Sequence, residues 1–370
     1  MWRWALCLLS SLETDVSSRT LRKASLPMFR EMNVEGFQRV LLHTDDASGL
    51  HAIIAIHNTT LGPALGGVRF RAYHDQQEAI DDCLLLAQAM TLKASVAGLD
   101  LGGGWSVILG DPTQRKSPHL LRAHGRFIAR LSGQFIPVND IGTTQNDIAE
   151  IGRETQPVCA YGDPSPMTAL GVVEAIRACM SIAGLGKSLR SIRVAVQGVG
   201  NVGSSLVELL HDAGAQLIVS DVDEMKAKNI ASKYGIDWLP PNRIVLTACD
   251  VLAPCATGNV IRTSNVSNLQ CRVIAGGANN VLEHASLESA LMARGIVYAP
   301  DFCANAGGLI FLSEHMLGHT NQQTIERVRT VGDTVMTVLQ MSQTLNTTAT
   351  EAANELAMRR LRKHSAGAGY

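Results

Sequence analysis

The stretch VAVQGVGNVG, residues 194–203, joins a short apolar segment to three glycines spaced as G-x-G-x-x-G. In this pattern Gly198 makes a tight turn after a strand, Gly200 lets the backbone approach a pyrophosphate, and Gly203 lets the next helix pack closely. The start of that helix then presents backbone N–H groups to the phosphates. The stretch therefore predicts a dinucleotide-binding turn, with a glycine turn that binds no ligand as the alternative.

An acidic residue follows at the position that such a turn requires. Asp221 ends the segment LIVSD, the next predicted strand. A carboxylate there accepts hydrogen bonds from a ribose diol and repels a 2′-phosphate, so the sequence predicts NAD as the cofactor, in preference to NADP. The residues expected to contact it from this region are Gly198, Gly200, Asn201, Val202, Gly203 and Asp221.

The segments around this turn alternate between strand and helix. Five short apolar runs are predicted strands: IRVAVQ (192–197), AQLIVSD (215–221), DVLAPC (250–255), RVIAGGA (272–278) and GIVYAPD (295–301). Runs that are apolar on both faces are typical of a parallel sheet covered by helices. From about residue 323 the apolar residues repeat at helical spacing, which predicts C-terminal helices.

The region before the turn mixes strands and helices. HAIIAIHN (51–58) is predicted to be a buried strand. Residues 75–93 are predicted to be a helix with Asp75 as N-cap and Glu78 completing a capping box. A further helix is expected to begin with Ser165 as cap and Pro166 in its first turn.

These elements predict an α/β protein in several units. A chain of 370 residues exceeds the usual size of one hydrophobic core. We expect an α/β domain over 28–165, a Rossmann-type doubly wound domain over 166–322, and C-terminal helices with a tail over 323–370.

Composition excludes several function classes. The formal net charge is −1, so no basic surface for nucleic acid is expected. No apolar run approaches the roughly 20 residues of a membrane span. The eight cysteines show neither a C-x-x-C pair nor zinc-ligand spacing, which predicts reduced thiols in a reducing compartment and no metal site.

The first 27 residues differ from the rest and allow three interpretations. MWRWALCLLSSLETDVSSRTLRKASLP combines a short apolar run with a segment rich in Ser and Arg. It is a secretory signal, a mitochondrial presequence, or a non-native extension before a true start at Met28. We favour the extension and a cytoplasmic location, with a mitochondrial location as the alternative if residues 1–27 are a presequence.

From Met28 to about residue 345 the chain resembles the amino-acid dehydrogenases acting on leucine, valine, phenylalanine and tryptophan, relatives of glutamate dehydrogenase. Besides the glycine turn, the matching stretches are TTLGPALGGVRF (59–70), MTLKASVAGLDLGGG (90–104), GQFIPVNDIGTT (133–144), GDPSPMTALGV (162–172), CDVLAPCATG (249–258), VIAGGANN (273–280) and YAPDFCANAGGLI (298–310). The resemblance implies an N-terminal substrate-binding and oligomerisation domain, a Rossmann domain, a cleft between them, and C-terminal helices that return to the first domain. It also implies a homo-oligomer and a reversible reaction: an L-amino acid, NAD and water give a 2-oxo acid, ammonia and NADH.

The resemblance assigns two charged residues to the substrate. Lys93, in MTLK, matches the lysine that holds the substrate carboxylate. Read locally, it is also a lysine favoured by the dipole at a helix C-terminus. Asp140, in NDIGTT, matches the catalytic acid. Its local alternative is a loop aspartate that bonds its own backbone.

One position departs from the family pattern. The family carries a second lysine directly after the triple glycine, as the low-pKa amine that activates water, and this chain has Trp105 there. Indole offers one N–H donor and no proton acceptor, so it cannot act as a base. Loss of a general base typically costs about 10²–10⁴ in rate.

The remaining site residues also come from the resemblance. The pocket for the substrate side chain is expected from Leu65, Val138, Leu309 and Leu312, with Gly66 beside it. These side chains are apolar, which favours an aliphatic or aromatic amino acid. Further cofactor contacts are expected from Thr168, Ala256, Asn279 and Asn305.

Two functions therefore stay open. The first is NAD-dependent oxidative deamination of an apolar L-amino acid, impaired by Trp105. The second is a catalytically inactive homologue that binds NAD and acts as a regulator or sensor. Both predict nucleotide binding, and ammonia-dependent turnover is expected in the first alone.

Overall fold

The computed structural model describes residues 28–367. Residues 1–27, with their three interpretations, and residues 368–370 lie outside it. The described chain contains two six-stranded sheets, one on each side of the predicted boundary near residue 165. This matches the expected α/β class with two sheet-containing units.

The first sheet combines antiparallel and parallel strands. In chain order its strands are β1 Met28–Met32, β2 Arg39–Asp45, β3 Leu50–Asn58, β4 Ala64–Arg71, β5 Gly102–Leu109 and β6 Phe135–Asn139. Their spatial order is β1-β2-β3-β5-β4-β6, and β4 runs parallel to both β5 and β6. β3 confirms the strand predicted at 51–58.

The helices of this region are α1 Gln76–Val96, α2 Pro112–Arg115, α3 Pro118–Ala129 and α4 Gln145–Ile151. α1 begins as predicted, because the Asp75 side chain accepts a hydrogen bond from the Glu78 N–H. The predicted capping box is wrong in its second half. The Glu78 carboxylate accepts from the His74 N–H, one residue before the N-cap.

Strand β5 presents its side chains alternately to two helices. Gly103 and Trp105 face α1, and a Cβ placed on Gly103 would lie 2.1 Å from the Thr91 backbone nitrogen. Ser106 faces the other side, where its hydroxyl lies 2.8 Å from Nε2 of His124 in α3. The glycine thus lets α1 lie directly on the strand.

The next helix, α5 Ser165–Ile182, corrects one prediction. Its N-cap is Pro164, which makes no side-chain cap bond, and Ser165 is already helical. The Asp163 carboxylate accepts from the Ser165 N–H, so the chain turns into the helix one residue earlier than expected. Pro166 lies in the first turn as predicted.

The second sheet is entirely parallel. Its strands are β7 Arg193–Gln197, β8 Gln216–Ser220, β9 Asp237–Trp238, β10 Val251–Pro254, β11 Val273–Ile274 and β12 Val297–Tyr298. The spatial order β12-β11-β10-β7-β8-β9 is the doubly wound arrangement of a Rossmann domain. Its helices are α6 Asn201–Asp212, α7 Glu224–Tyr234, α8 Pro241–Ile244, α9 Leu287–Ala293, α10 Asp301–Ala304 and α11 Gly307–Met316.

The C-terminal helices α12 Asn321–Arg329, α13 Val331–Leu345 and α14 Ala349–Gly367 return to the first sheet. They complete the end of α1. Arg327 donates to the carbonyls of Ala97 and Gly98, and Arg360 donates to the carbonyl of Leu99. Cations at a helix C-terminus satisfy free carbonyls and oppose the helix dipole.

In the part of the chain that the structure describes, no helix has the length and apolarity needed to cross a membrane.

A buried histidine makes the stability of this fold sensitive to acid. His124 is fully buried, and burial together with nearby His43 lowers its pKa to about 3. The unfolded chain regains the ordinary pKa near 6.5, so it binds more protons than the fold between these values. The contribution of His124 is complete above pH 6.5, and the free energy of unfolding falls below it by up to about 1.4 kcal/mol per pH unit.

Urea unfolding at several pH values between 7 and 4 measures this slope. His124→Gln should flatten it, whereas the same change at exposed His119 should leave it as in the unsubstituted chain. Equal slopes for both variants would refute the assignment to His124.

Candidate active site

The three glycines of the cofactor turn occupy three different environments. Gly198 has φ +93°, and a Cβ on it would lie 2.6 Å from the Ala256 Cβ. A Cβ on Gly203 would lie 1.9 Å from the Gly198 carbonyl oxygen, whereas one on Gly200 would meet no atom within 4 Å. Gly198 and Gly203 are thus required by the fold, and Gly200 faces open space.

The same turn leaves donors for an anion. α6 begins at Asn201 with Gly200 as N-cap and no side-chain cap bond. The Asp221 carboxylate accepts from the Val199 N–H at 2.8 Å and from the Asp223 N–H at 3.0 Å. These residues fit a dinucleotide, because the N–H groups are free for phosphate and the acid is fixed beside the turn.

The other predicted cofactor residues lie close by. The side chain of Val202 packs against Gly277, and Ala256 packs against Gly198. The Asn305 amide donates to the Asn279 Oδ1 at 2.7 Å. Thr168 lies against Gly308, at the start of α11, and its hydroxyl donates to the Pro164 carbonyl.

Lys93 connects the two sheet-containing units. Its Nζ donates to the Asn305 Oδ1 at 2.7 Å, so the lysine of α1 reaches the cofactor side. Lys93 lies in the last turn of α1, and its amine bonds Asn305, while Arg327 donates to the carbonyl of Ala97 at the end of the same helix. Burial lowers the pKa of Lys93 to about 8, although the nearby Asp301 opposes this shift.

Asp140 lies directly after β6 and pairs with an arginine. Arg69 Nε donates to the Asp140 Oδ2 at 2.6 Å. The Asp140 N–H donates to the Thr143 hydroxyl at 2.9 Å. The Asp140 side chain is 22% exposed, which leaves it reachable by a ligand.

Arg69 and its second partner, Asp82, were not predicted from the sequence. Arg69 Nη1 also donates to Asp82 at 2.9 Å, and the Tyr73 hydroxyl donates to the same carboxylate at 2.6 Å. Burial and this bond raise the pKa of Tyr73, which stays a neutral donor. An arginine in an apolar strand was the available signal, since arginine is seldom buried without a partner.

Trp105 belongs to the core beneath α1. Its side chain is 8% exposed and packs in one apolar cluster with Ala55, Cys83 and Ala87. The Arg69 guanidinium lies 5.5 Å from the ring centroid. The indole Nε1 is buried and has no hydrogen-bond partner within residues 28–367.

Gly67 provides the room for this indole. A Cβ on Gly67 would lie 2.6 Å from Cη2 of Trp105 and 2.9 Å from the Asp140 Cβ. The ring edge and Asp140 therefore flank the same glycine. The position at which the resemblance predicts a lysine holds an uncharged ring with no proton acceptor.

The four apolar residues expected in the side-chain pocket belong to, or pack against, one large apolar cluster that spans both units. Leu65, Leu309 and Leu312 are buried in one apolar cluster, and Val138 packs against it. They come from β4, β6 and α11, so both units contribute. Neighbouring Gly66 is in backbone contact with β5, since a Cβ there would lie 1.8 Å from the Gly104 carbonyl oxygen.

Metal chemistry has no support in the described residues. Within 28–367 no group of three or more His, Cys, Asp or Glu side chains is arranged to hold a metal ion. The seven cysteines described are unpaired thiols, and Cys7 lies outside.

The arrangement offers a cation for a carboxylate in Lys93, an anion in Asp140, an apolar wall, and a dinucleotide turn. It holds no lysine at position 105 to take a proton from water.

Comparisons with known proteins give two family matches that together cover most of the chain. A model described as "Glu/Leu/Phe/Val dehydrogenase, dimerisation domain" matches residues 36–157. A second, described as "Glutamate/Leucine/Phenylalanine/Valine dehydrogenase", matches residues 163–225 and 219–369.

Individual relatives cover nearly the whole chain. Leucine dehydrogenase of Thermoactinomyces intermedius is 39% identical over 343 residues, 91% of this chain and 94% of the relative. Phenylalanine dehydrogenase of the same organism is 37% identical over 91% of this chain and 94% of its own. The crystal structure of L-tryptophan dehydrogenase from Nostoc punctiforme superposes with a TM-score of 0.82 at 37% identity, covering 89% of this chain and 97% of that one.

The folds, the paired sheets and these matches lead to one conclusion: the chain belongs to the Glu/Leu/Phe/Val family of amino-acid dehydrogenases.

Proposed function

We propose that this protein binds NAD and an apolar L-amino acid where its two units meet, and interconverts the amino acid and its 2-oxo acid slowly. The observation that carries the proposal is the buried indole of Trp105 at the position of the family's base. Lys93 and Asp140 are retained for binding, whereas Trp105 replaces the lysine that would accept a proton. Its match to a dimerisation-domain model also supports a homo-oligomer.

The cofactor is bound by backbone and one acid. The N–H groups at the start of α6 receive the pyrophosphate, and open space at Gly200 admits it. Asp221 receives the ribose diol and disfavours a 2′-phosphate, which makes NAD the preferred cofactor. When bound, the nicotinamide supplies the hydride acceptor.

The amino acid is held at three points. Lys93 pairs with its carboxylate, because its amine lies beside Asn305 and makes no ion pair with any residue from 28 to 367. Leu65, Leu309 and Leu312 enclose its side chain, which favours an apolar substrate. Asp140 faces its nitrogen.

Proton transfer is the weak step. Indole cannot deprotonate water, and one oxygen of Asp140 is occupied by Arg69 at 2.6 Å. We therefore expect turnover about 10²–10⁴ below that of a site with a general base. The same ion pair favours the second function, an NAD-binding regulator without turnover.

The cofactor turn is tested by a matched pair of glycine substitutions. Gly200→Ala should fold normally, because its Cβ meets open space, yet weaken NADH binding by at least about tenfold. Gly203→Ala should instead lower the melting temperature, since its Cβ would lie 1.9 Å from a carbonyl oxygen. NADH fluorescence titration with thermal melting measures both; unchanged NADH affinity in Gly200→Ala would contradict the assigned site.

The role of position 105 is tested by restoring the amine. Trp105→Lys should raise ammonia-dependent NADH oxidation with the 2-oxo acids of leucine or phenylalanine by about 10²–10⁴. Trp105→Met is the matched control, with similar length and no amine, and should gain nothing. A folded Trp105→Lys protein no faster than the unsubstituted chain would show that position 105 does not limit the rate.

Binding of the 2-oxo acid should depend on the charge of Lys93. With its pKa at about 8, the amine is protonated below that pH and neutral above it. Affinity should be constant below pH 7 and fall by about tenfold per pH unit well above 8, the slope of a single proton. Isothermal titration between pH 6 and 10 measures this, and Lys93→Arg should remove the fall. A fall that persists in Lys93→Arg would assign it to another group.

A further inference from the structure

The proposed substrate site contains two carboxylates, those of Asp82 and Asp140, that share a single arginine. Asp82 and Asp140 share Arg69, at 2.9 and 2.6 Å, and the remaining partner is the neutral Tyr73 hydroxyl. Two carboxylates and one guanidinium leave one negative charge. In a partly buried setting such a charge attracts a cation more strongly than in bulk water.

Asp140 offers this charge in a fixed position. Arg69 binds Oδ2, and the Thr143 hydroxyl accepts from the Asp140 N–H, which holds the residue at both ends. The other oxygen, Oδ1, accepts no hydrogen bond from any residue between 28 and 367. With 22% of the side chain exposed, Oδ1 is available to a donor from a ligand.

Trp105 removes the charge that would compete with such a ligand. Its ring edge and Asp140 flank Gly67, so the carboxylate lies beside an uncharged indole. A lysine in that place would repel an ammonium group and would itself pair with Asp140. The ring itself carries no charge, and the Arg69 guanidinium already lies 5.5 Å from its centroid.

The L-amino acid and its 2-oxo acid differ in the group on the α-carbon that would lie beside Asp140. An L-amino acid carries an ammonium group with three N–H donors, whereas the 2-oxo acid carries a carbonyl oxygen that only accepts. Beside Asp140 the carbonyl meets another acceptor, and the indole N–H is itself buried. Both ligands keep the same carboxylate for Lys93 and the same side chain for the apolar wall.

We infer that this site binds the zwitterion of an apolar L-amino acid in preference to the matching 2-oxo acid, with the ammonium group on Asp140 and the carboxylate on Lys93. The inference rests on the proposed substrate site but requires no turnover. With this preference the protein acts as a receptor for the free amino acid. The presence of tryptophan rather than lysine at position 105 makes the affinity for the amino acid higher than that for the 2-oxo acid.

Calorimetric titration of the full chain with saturating NADH and no ammonia tests it, because neither ligand reacts under these conditions. L-Leucine should bind at least about tenfold more tightly than its 2-oxo acid, the difference that one charge-assisted hydrogen bond provides. Trp105→Lys should reduce or invert this ratio, and uncharged Trp105→Met should preserve it. Asp140→Asn should bring the two affinities together.

The outcomes separate this inference from the proposed function. If both ligands bind and the 2-oxo acid is as tight or tighter, or if Trp105→Lys leaves the ratio unchanged, the inference is wrong and the substrate site stands. If NADH binds and neither ligand does, the substrate site itself is wrong, and the inference falls with it.

Discussion

The close approach of backbone to backbone at the glycines of β4 and β5 is the constraint on which the site depends. A Cβ on Gly66 would lie 1.8 Å from the Gly104 carbonyl, and one on Gly103 would lie 2.1 Å from the Thr91 nitrogen. Side chains at these places would separate the two strands and lift α1 from the sheet. Since α1 carries Lys93 and β5 carries Trp105, the glycines set the position of both.

This constraint also explains why a tryptophan is tolerated after three glycines. Strand alternation places Trp105 on the same face as Gly103, under α1, where Ala55, Cys83 and Ala87 form an apolar cluster. Gly67 leaves space for the ring edge. The indole is therefore a core residue by packing, although the resemblance predicts a catalytic lysine at its position along the strand. Because the indole carries no charge, Arg69 is the cation that pairs with both Asp82 and Asp140.

Sequence patterns identified five of the six strands of the second sheet, because their signals are local. The two-residue strand β9 was not predicted, since so short a segment contains no apolar run. The glycine spacing, the acid at the end of the next strand and the short apolar runs each depend on neighbouring residues, and the parallel order follows from them. β11 and β12 are shorter than predicted, because apolar character extends beyond the residues that pair. The predicted Ser165 cap was wrong because Ser165 is already helical, and its N–H donates to the Asp163 carboxylate two residues earlier.

The site itself was less accessible to sequence reasoning. Lys93 and Asp140 were identified through resemblance, because neither spacing nor periodicity separates them from an ordinary helix lysine or loop aspartate. The Arg69–Asp140 pair joins a strand to a loop 71 residues later, and no local pattern encodes a contact over that distance. This ion pair can be predicted only once the pairing of β4 with β6 is known, because that pairing brings Arg69 and Asp140 together.

The contacts of the C-terminal helices with the end of α1 have a consequence for the order in which the two sites form. Ser95 donates to the carbonyl of Ala357, and Arg360 bonds the carbonyl of Leu99, so a helix made early is completed by one made more than 250 residues later. During synthesis on the ribosome, the end of α1 gains these partners only after α12, with Arg327, and α14, with Arg360, have emerged. The glycines of the cofactor turn pack against Cys255 and Ala256, which are made long before α14, so this turn can form first. A nascent chain would thus acquire its nucleotide site before its substrate site.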